Sequence, residues 1–75
     1  MTKQFNKIAC IVEENLNENA TVIFDSFKLR FTEKSVIVYS IDKYDGSWFK
    51  EMHINADMYN HQIVNLIIQV IKYYQ

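Results

Sequence analysis

FKLRFTEKSVIVYSIDKYDGSWFKEMHI, residues 27–54, is the stretch on which the fold turns. Phe27, Leu29 and Phe31 alternate with Lys28, Arg30 and Thr32, and Ile37, Tyr39 and Ile41 alternate with Val36, Val38 and Ser40. A period of two over β-branched and aromatic residues is the signature of strands with two unlike faces. Asp45-Gly46 then predicts a tight type I′ hairpin turn, since both central residues need positive φ and this pair tolerates it. It would pair Tyr44 with Ser47, Ile41 with Lys50 and Tyr39 with Met52. A loop over Glu33–Ser35 pairs Phe31 with Ile37, Leu29 with Tyr39 and Phe27 with Ile41. The two registers agree on one apolar face made of Phe27, Leu29, Phe31, Ile37, Tyr39, Ile41, Trp48, Met52 and Ile54. A turn on Glu33-Lys34 alone would instead set Lys28 and Arg30 against the Tyr39 face.

Working outward, Thr21–Phe24 is also strand-like, but Asp25-Ser26 interrupts its alternation. A bulge and a separate short lead-in both fit. Before it, Phe5, Ile8, Ala9, Val12 and Leu16 recur at helical spacing and predict a helix over residues 3–18, with Thr2 as N-cap. Its charges oppose the helix dipole, with Lys3 and Lys7 early and Glu13, Glu14 and Glu18 late, so packing must hold it. After the strands, Asn55 is a suitable N-cap, Asp57 suits a first turn, and Ile54 and Tyr59 are spaced as a hydrophobic staple. The helix that follows runs to Tyr73 or Tyr74, with Lys72 well placed in its last turn. The expected fold is therefore α+β: a three-stranded antiparallel meander with two helices, in the order α-β-β-β-α, packed on one face.

The chain has 75 residues, a hydrophobic fraction of 49% and an aromatic fraction of 15%. That suffices for one domain over residues 1–75 and leaves little stability in reserve. A lone cysteine, Cys10, excludes an internal disulfide. With no apolar leader and no run near the ~20 residues of a membrane span, a cytoplasmic protein with no membrane partner is expected. Residue usage rich in Asn, Ile, Lys and Tyr, with one Gly and no Pro, is that of AT-rich genomes and points toward a phage or mobile element. The formal net charge of -1 gives no global field for a polyanion and argues against nucleic acid as a partner.

No motif for catalysis stands out. A phosphate-binding Gly loop, a nucleophile elbow and a metal-ligand spacing are all missing, so no catalytic residue, metal or cofactor is expected. His53 and His61 lie on different elements without a completing Cys or carboxylate. Cys10 falls on the back of the first helix's apolar stripe, where nothing activates a thiol. The order helix, three strands, helix resembles that of double-stranded RNA-binding domains. In that family a cluster of Lys opens the second helix; here the segment is Asn55-Ala56-Asp57-Met58-Tyr59-Asn60-His61, with an acid and no Lys. No functional residue carries over.

Two surfaces are candidates for binding. The second helix's apolar positions fill an arc of roughly 220°, against about 100° for a helix resting on one surface. The sheet can cover the middle of this arc and the first helix one flank; unless both flanks are covered within the chain, that of Val64, Ile68 and Ile71 is expected to meet a protein partner or a second copy, with Glu14 and Glu18 as contacts for a basic surface. The alternative is the sheet face opposite the apolar one, where Lys28, Arg30, Phe49 and His53 form a thin version of the aromatic and basic surface that binds RNA or single strands. The expected function is a small non-enzymatic regulatory or inhibitory protein-binding module that docks on a host macromolecule and self-associates as a homodimer, with nucleic-acid binding as the alternative.

Overall fold

The computed structural model describes residues 2–74, less the side chain of Thr2. They form α1 (Thr2–Asn15), β1 (Ala20–Phe24), β2 (Phe27–Phe31), β3 (Ser35–Ile41), β4 (Trp48–Asn55) and α2 (Asn60–Tyr73). The fold is α+β with a helix at each end, and the sheet has four antiparallel strands in the order β1-β2-β3-β4. Three strands were expected. The fourth is Ala20–Phe24, which pairs with β2 through the two-residue turn Asp25-Ser26. Asp25 takes φ 52°, a left-handed conformation that Asp tolerates better than most residues, so the apparent break in alternation is a hairpin. The extra strand also parts the chain from the order of the double-stranded RNA-binding domains.

α1 ends earlier and α2 begins later than the sequence suggests, while α2 ends at Tyr73 as expected. The cap expected from the Thr2 side chain lies outside the described residues. At the other end, Asn15 donates its side-chain amide to the Ile11 carbonyl at 2.8 Å, and Asn17 adopts φ 67°, the left-handed stop that Asn supplies when Gly is absent. Glu18, expected within the helix, therefore lies outside α1. Asn55 belongs to β4, opposite Ser35, and the Ala56 N–H donates to the Lys34 carbonyl at 2.8 Å. The helix starts later, after Tyr59, whose own N–H is satisfied by the Gln62 side chain at 3.3 Å. Ile54 is buried and Tyr59 exposed, so the expected staple is not made.

Both hairpin registers differ from expectation. Phe31 pairs with Val36, Leu29 with Val38 and Phe27 with Ser40, the register of a turn on Glu33-Lys34 alone. Thr32 makes that turn: its hydroxyl oxygen accepts the Ser35 N–H at 3.0 Å and the Lys34 N–H at 3.3 Å, and its backbone N–H donates to the Ser35 carbonyl at 2.9 Å. In the next hairpin Ile41 pairs with Trp48, across the loop Asp42–Ser47. Gly46 alone in this loop has positive φ, at 75°. Asp42 accepts the Tyr44 N–H through its side chain and the Gly46 N–H through its backbone, so a wider turn replaces the type I′ one. Between Val38 and Tyr39 the pairing with β4 shifts by one residue: Met52 opposes Val38, Lys50 opposes Tyr39, and Glu51 is the extra residue of a bulge.

These shifts decide which side chains face the helices. Phe27, Leu29, Phe31, Val36, Val38 and Ile54 are buried, together with Ile8 and Val12 of α1 and Ile63, Val64, Ile67, Ile68, Val70 and Ile71 of α2. Ile37, Tyr39, Ile41 and Trp48, expected in this core, face the opposite way. Smaller β-branched residues stand in their place, because the phenylalanines of β2 and the isoleucines of α2 already fill the layer. The register yields a test. Val38→Lys buries an unpaired charge at a cost of several kcal/mol and should leave the chain unfolded, whereas Ile37→Lys, on the half-exposed face, should cost about 1 kcal/mol or less. Urea melts of both variants check it; the reverse order would restore the register read from the sequence.

Candidate functional site

The face of the sheet turned away from the helices has no helix to cover it. Its rows follow from the register: Thr21, Arg30, Ile37 and His53 lie side by side, as do Ile23, Lys28, Tyr39 and Lys50, and Ile41 stands beside Trp48. An apolar ridge of Ile37, Tyr39 and Ile41 thus runs along β3, one strand spacing of about 4.8 Å from the cations of β2 on one side and from Lys50 of β4 on the other. Lys28 lies across this ridge, its Nζ 4.5 Å from the centre of the Tyr39 ring and 5.0 Å from that of Trp48. Both rings attract the ammonium through their π faces and fix a cation at the middle of the face. Ile23 continues the apolar surface toward the β1 edge and is 61% exposed.

No carboxylate occupies any of these positions. Glu13 and Glu14 sit on α1 and Glu18 just after it; Asp25, Glu33, Asp42 and Asp45 lie in the strand turns, and Asp57 precedes α2. Glu51, the one acid within a strand, is drawn to the helix side, where its carboxylate accepts hydrogen bonds from the hydroxyls of Ser40 and Tyr74. The overall charge of -1 therefore hides a face that carries Lys28, Arg30 and Lys50, with His53 beside them. A local field of one sign is what attracts a polyanion, whatever the sum over the chain.

The expected sites fare differently. Lys28, Arg30 and His53 lie together on the open face. Phe49 does not: the bulge at Glu51 inverts the alternation of β4 before it, so Phe49 opposes Ser40 on the helix side, at the uncovered end of that layer and 54% exposed. The same inversion brings Trp48 and Lys50 to the open face, and the shifted register of β3 brings Tyr39. None of these three was expected there. The residues that carry the signal are Thr32 and Asp42, whose side chains bond to nearby backbone N–H groups and set the turns. The flank of α2 is not a free surface. Val64 and Ile71 are almost wholly buried and Ile68 is 8% exposed, because α1 packs against α2 within the chain. Glu14 and Glu18 are exposed. Cys10 is an exposed thiol, and His61 stacks on Tyr59 with ring centres 5.8 Å apart. Among the described residues no group of three or more His, Cys, Asp or Glu is placed to hold a metal ion, and no helix is long and apolar enough to cross a membrane.

Tyr74 anchors the end of α2 to the sheet. Its hydroxyl donates to Glu51 at 2.6 Å, and its ring meets the edge of Phe27 with centres 6.3 Å apart. The bond to a carboxylate favours the protonated phenol and raises the Tyr74 pKa above its ordinary value. A pKa raised by folding gives stability that is complete below the unfolded value and is lost as the pH climbs through the folded one. The wild-type melting temperature should exceed that of Tyr74→Phe by a constant gap up to about pH 9, and the gap should narrow above about pH 10. Thermal melts of the two proteins across that range test this; a gap that widens with pH would refute it.

No protein-family model, no curated protein and no solved structure matches this chain.

Proposed function

We propose that this protein is a non-enzymatic binding module and that its open sheet face takes single-stranded nucleic acid. The observation that carries the reading is the pairing of Tyr39 and Trp48 with Lys28, Arg30 and Lys50 on a face without a carboxylate. Single strands offer two things to a flat surface: unpaired bases with exposed π faces, and a phosphate at every nucleotide. Aromatic side chains on a sheet meet the first and flanking cations the second. A duplex hides its base faces and gains little from such a surface. Lys28 rests on the two rings in the free protein, and a phosphate drawn to its ammonium brings the adjoining base over Tyr39 or Trp48. Docking of a protein on the α2 flank receives no such support, since Val64, Ile68 and Ile71 are enclosed within the chain.

Trp48 is the sole tryptophan and so reports on the face directly. Titration of its fluorescence with oligouridylate and oligothymidylate should show quenching. With three cations engaged, affinity should fall roughly twentyfold between 50 and 200 mM salt, as counterion release requires for a single strand. Trp48→Ala should weaken binding by about fivefold or more, followed by fluorescence anisotropy of labelled strands, since one stacked base is worth about 1–3 kcal/mol. Lys28→Glu with Arg30→Glu should remove binding. Absence of binding by either oligonucleotide at low salt, or an undiminished double variant, would overturn the proposal.

A further inference from the structure

The two edges of the sheet are unlike. β4 is broken by its bulge and carries Lys50 and Glu51, both common guards against pairing with another chain. β1, Ala20-Thr21-Val22-Ile23-Phe24, has no charge, no proline and no bulge. The hydrogen-bond pattern can be followed to this edge. Thr32 bonds to Ser35, and the Ile41 N–H donates to the Ser26 carbonyl, so Lys28 and Arg30 of β2, with Ser26 just before it, are bonded to β3. By alternation Phe27, Leu29 and Phe31 bond to β1, through Phe24, Val22 and Ala20. Thr21 and Ile23 then direct their N–H and C=O groups outward, to the free edge.

We propose that β1 pairs with β1 of a second copy, antiparallel and centred on Val22. Only this centre sets each outward residue of one chain against an outward residue of the other: Thr21 opposes the partner's Ile23, and Ile23 the partner's Thr21, so every outward group of the two strands is bonded. The ends agree as well. The antiparallel arrangement carries Glu18, just before β1, toward the far end of the partner strand, where Lys3 and Lys7 flank Phe24, with Lys7 Nζ 5.6 Å from that ring. Asp25 lies with these lysines at that end. The exposed Ile23 gains cover from the partner's Thr21. The two-fold axis stands perpendicular to the sheet, so the helices of both copies lie on one side and both open faces on the other, as one continuous eight-stranded surface.

An interface of this size should be weak, with a dissociation constant of about 10–100 μM. Sedimentation of the wild type at ~300 μM should give a dimer. Ile23→Lys places a charge on the edge without touching the bonds to β2 and should give a monomer of unchanged circular dichroism. Hydrogen exchange of the wild type supplies a second reading that needs no variant. The amides of Thr21 and Ile23 should gain protection as concentration rises, while that of Val22, bonded within the chain, should not change. A wild type that stays monomeric at ~300 μM would overturn the proposal, and so would a dimer whose Thr21 and Ile23 amides exchange freely or that persists in a folded Ile23→Lys.

Discussion

The carboxylate of Glu51 governs the arrangement of this molecule. It accepts from Ser40 on the neighbouring strand and from Tyr74 at the end of α2, and so it holds one residue of β4 out of the ladder. Everything before that residue in β4 is thereby turned over relative to everything after it. Met52 and Ile54 remain with the core, while Trp48 and Lys50 emerge on the other side. An acid that would otherwise adjoin the cations is held beneath the sheet by the same bonds. One bulge with two hydrogen-bond partners thus does two jobs, sorting the aromatics and keeping the open face free of negative charge.

Three of the four strands and both helices were legible because their periods are strong: alternation in β2 and β3, and three- and four-residue steps in α1 and α2; β1 was not, because Asp25-Ser26 hides a hairpin turn as a break in alternation. The register was not, and the cause lies in β3. Val36 and Val38 on one side, and Ile37, Tyr39 and Ile41 on the other, are all good core residues, so hydrophobicity selects neither face. Packing volume makes the choice, and volume belongs to the assembled layer. Turn chemistry could have decided it locally, through the hydroxyl of Thr32 and the carboxylate of Asp42, but both compete with the stronger sign of Asp45-Gly46. The fate of Phe49 follows from the same gap, since a single unseen bulge reverses every side chain before it. Lys28, Arg30 and His53 lie on the open face as expected because β2 is anchored by its phenylalanines and His53 lies after the bulge.

The surplus apolar arc of α2 has a plain explanation in the structure. A helix at the end of a small domain meets two neighbours, the sheet below and α1 beside it, and each takes part of the arc. The breadth that suggested an external partner is what a two-layer domain needs when one helix touches both its other parts. α1, whose charges oppose its dipole, depends on the same contact, so the element with least stability of its own is secured by the one with most apolar surface.

The meander has a consequence for how the chain reaches its fold. Each strand pairs only with its neighbour in sequence, and the turns are short, so most sheet contacts close small loops whose entropy cost is low. The packing of α1 on α2 and the contact of Tyr74 with Phe27 span most of the chain. Low contact order of this kind goes with rapid folding, and it separates the process into local hairpins that form early and a helix pair that must wait for them. During that wait the apolar side of the sheet lies bare, and the time for which a new chain is liable to stick to others is set by how fast its two ends meet.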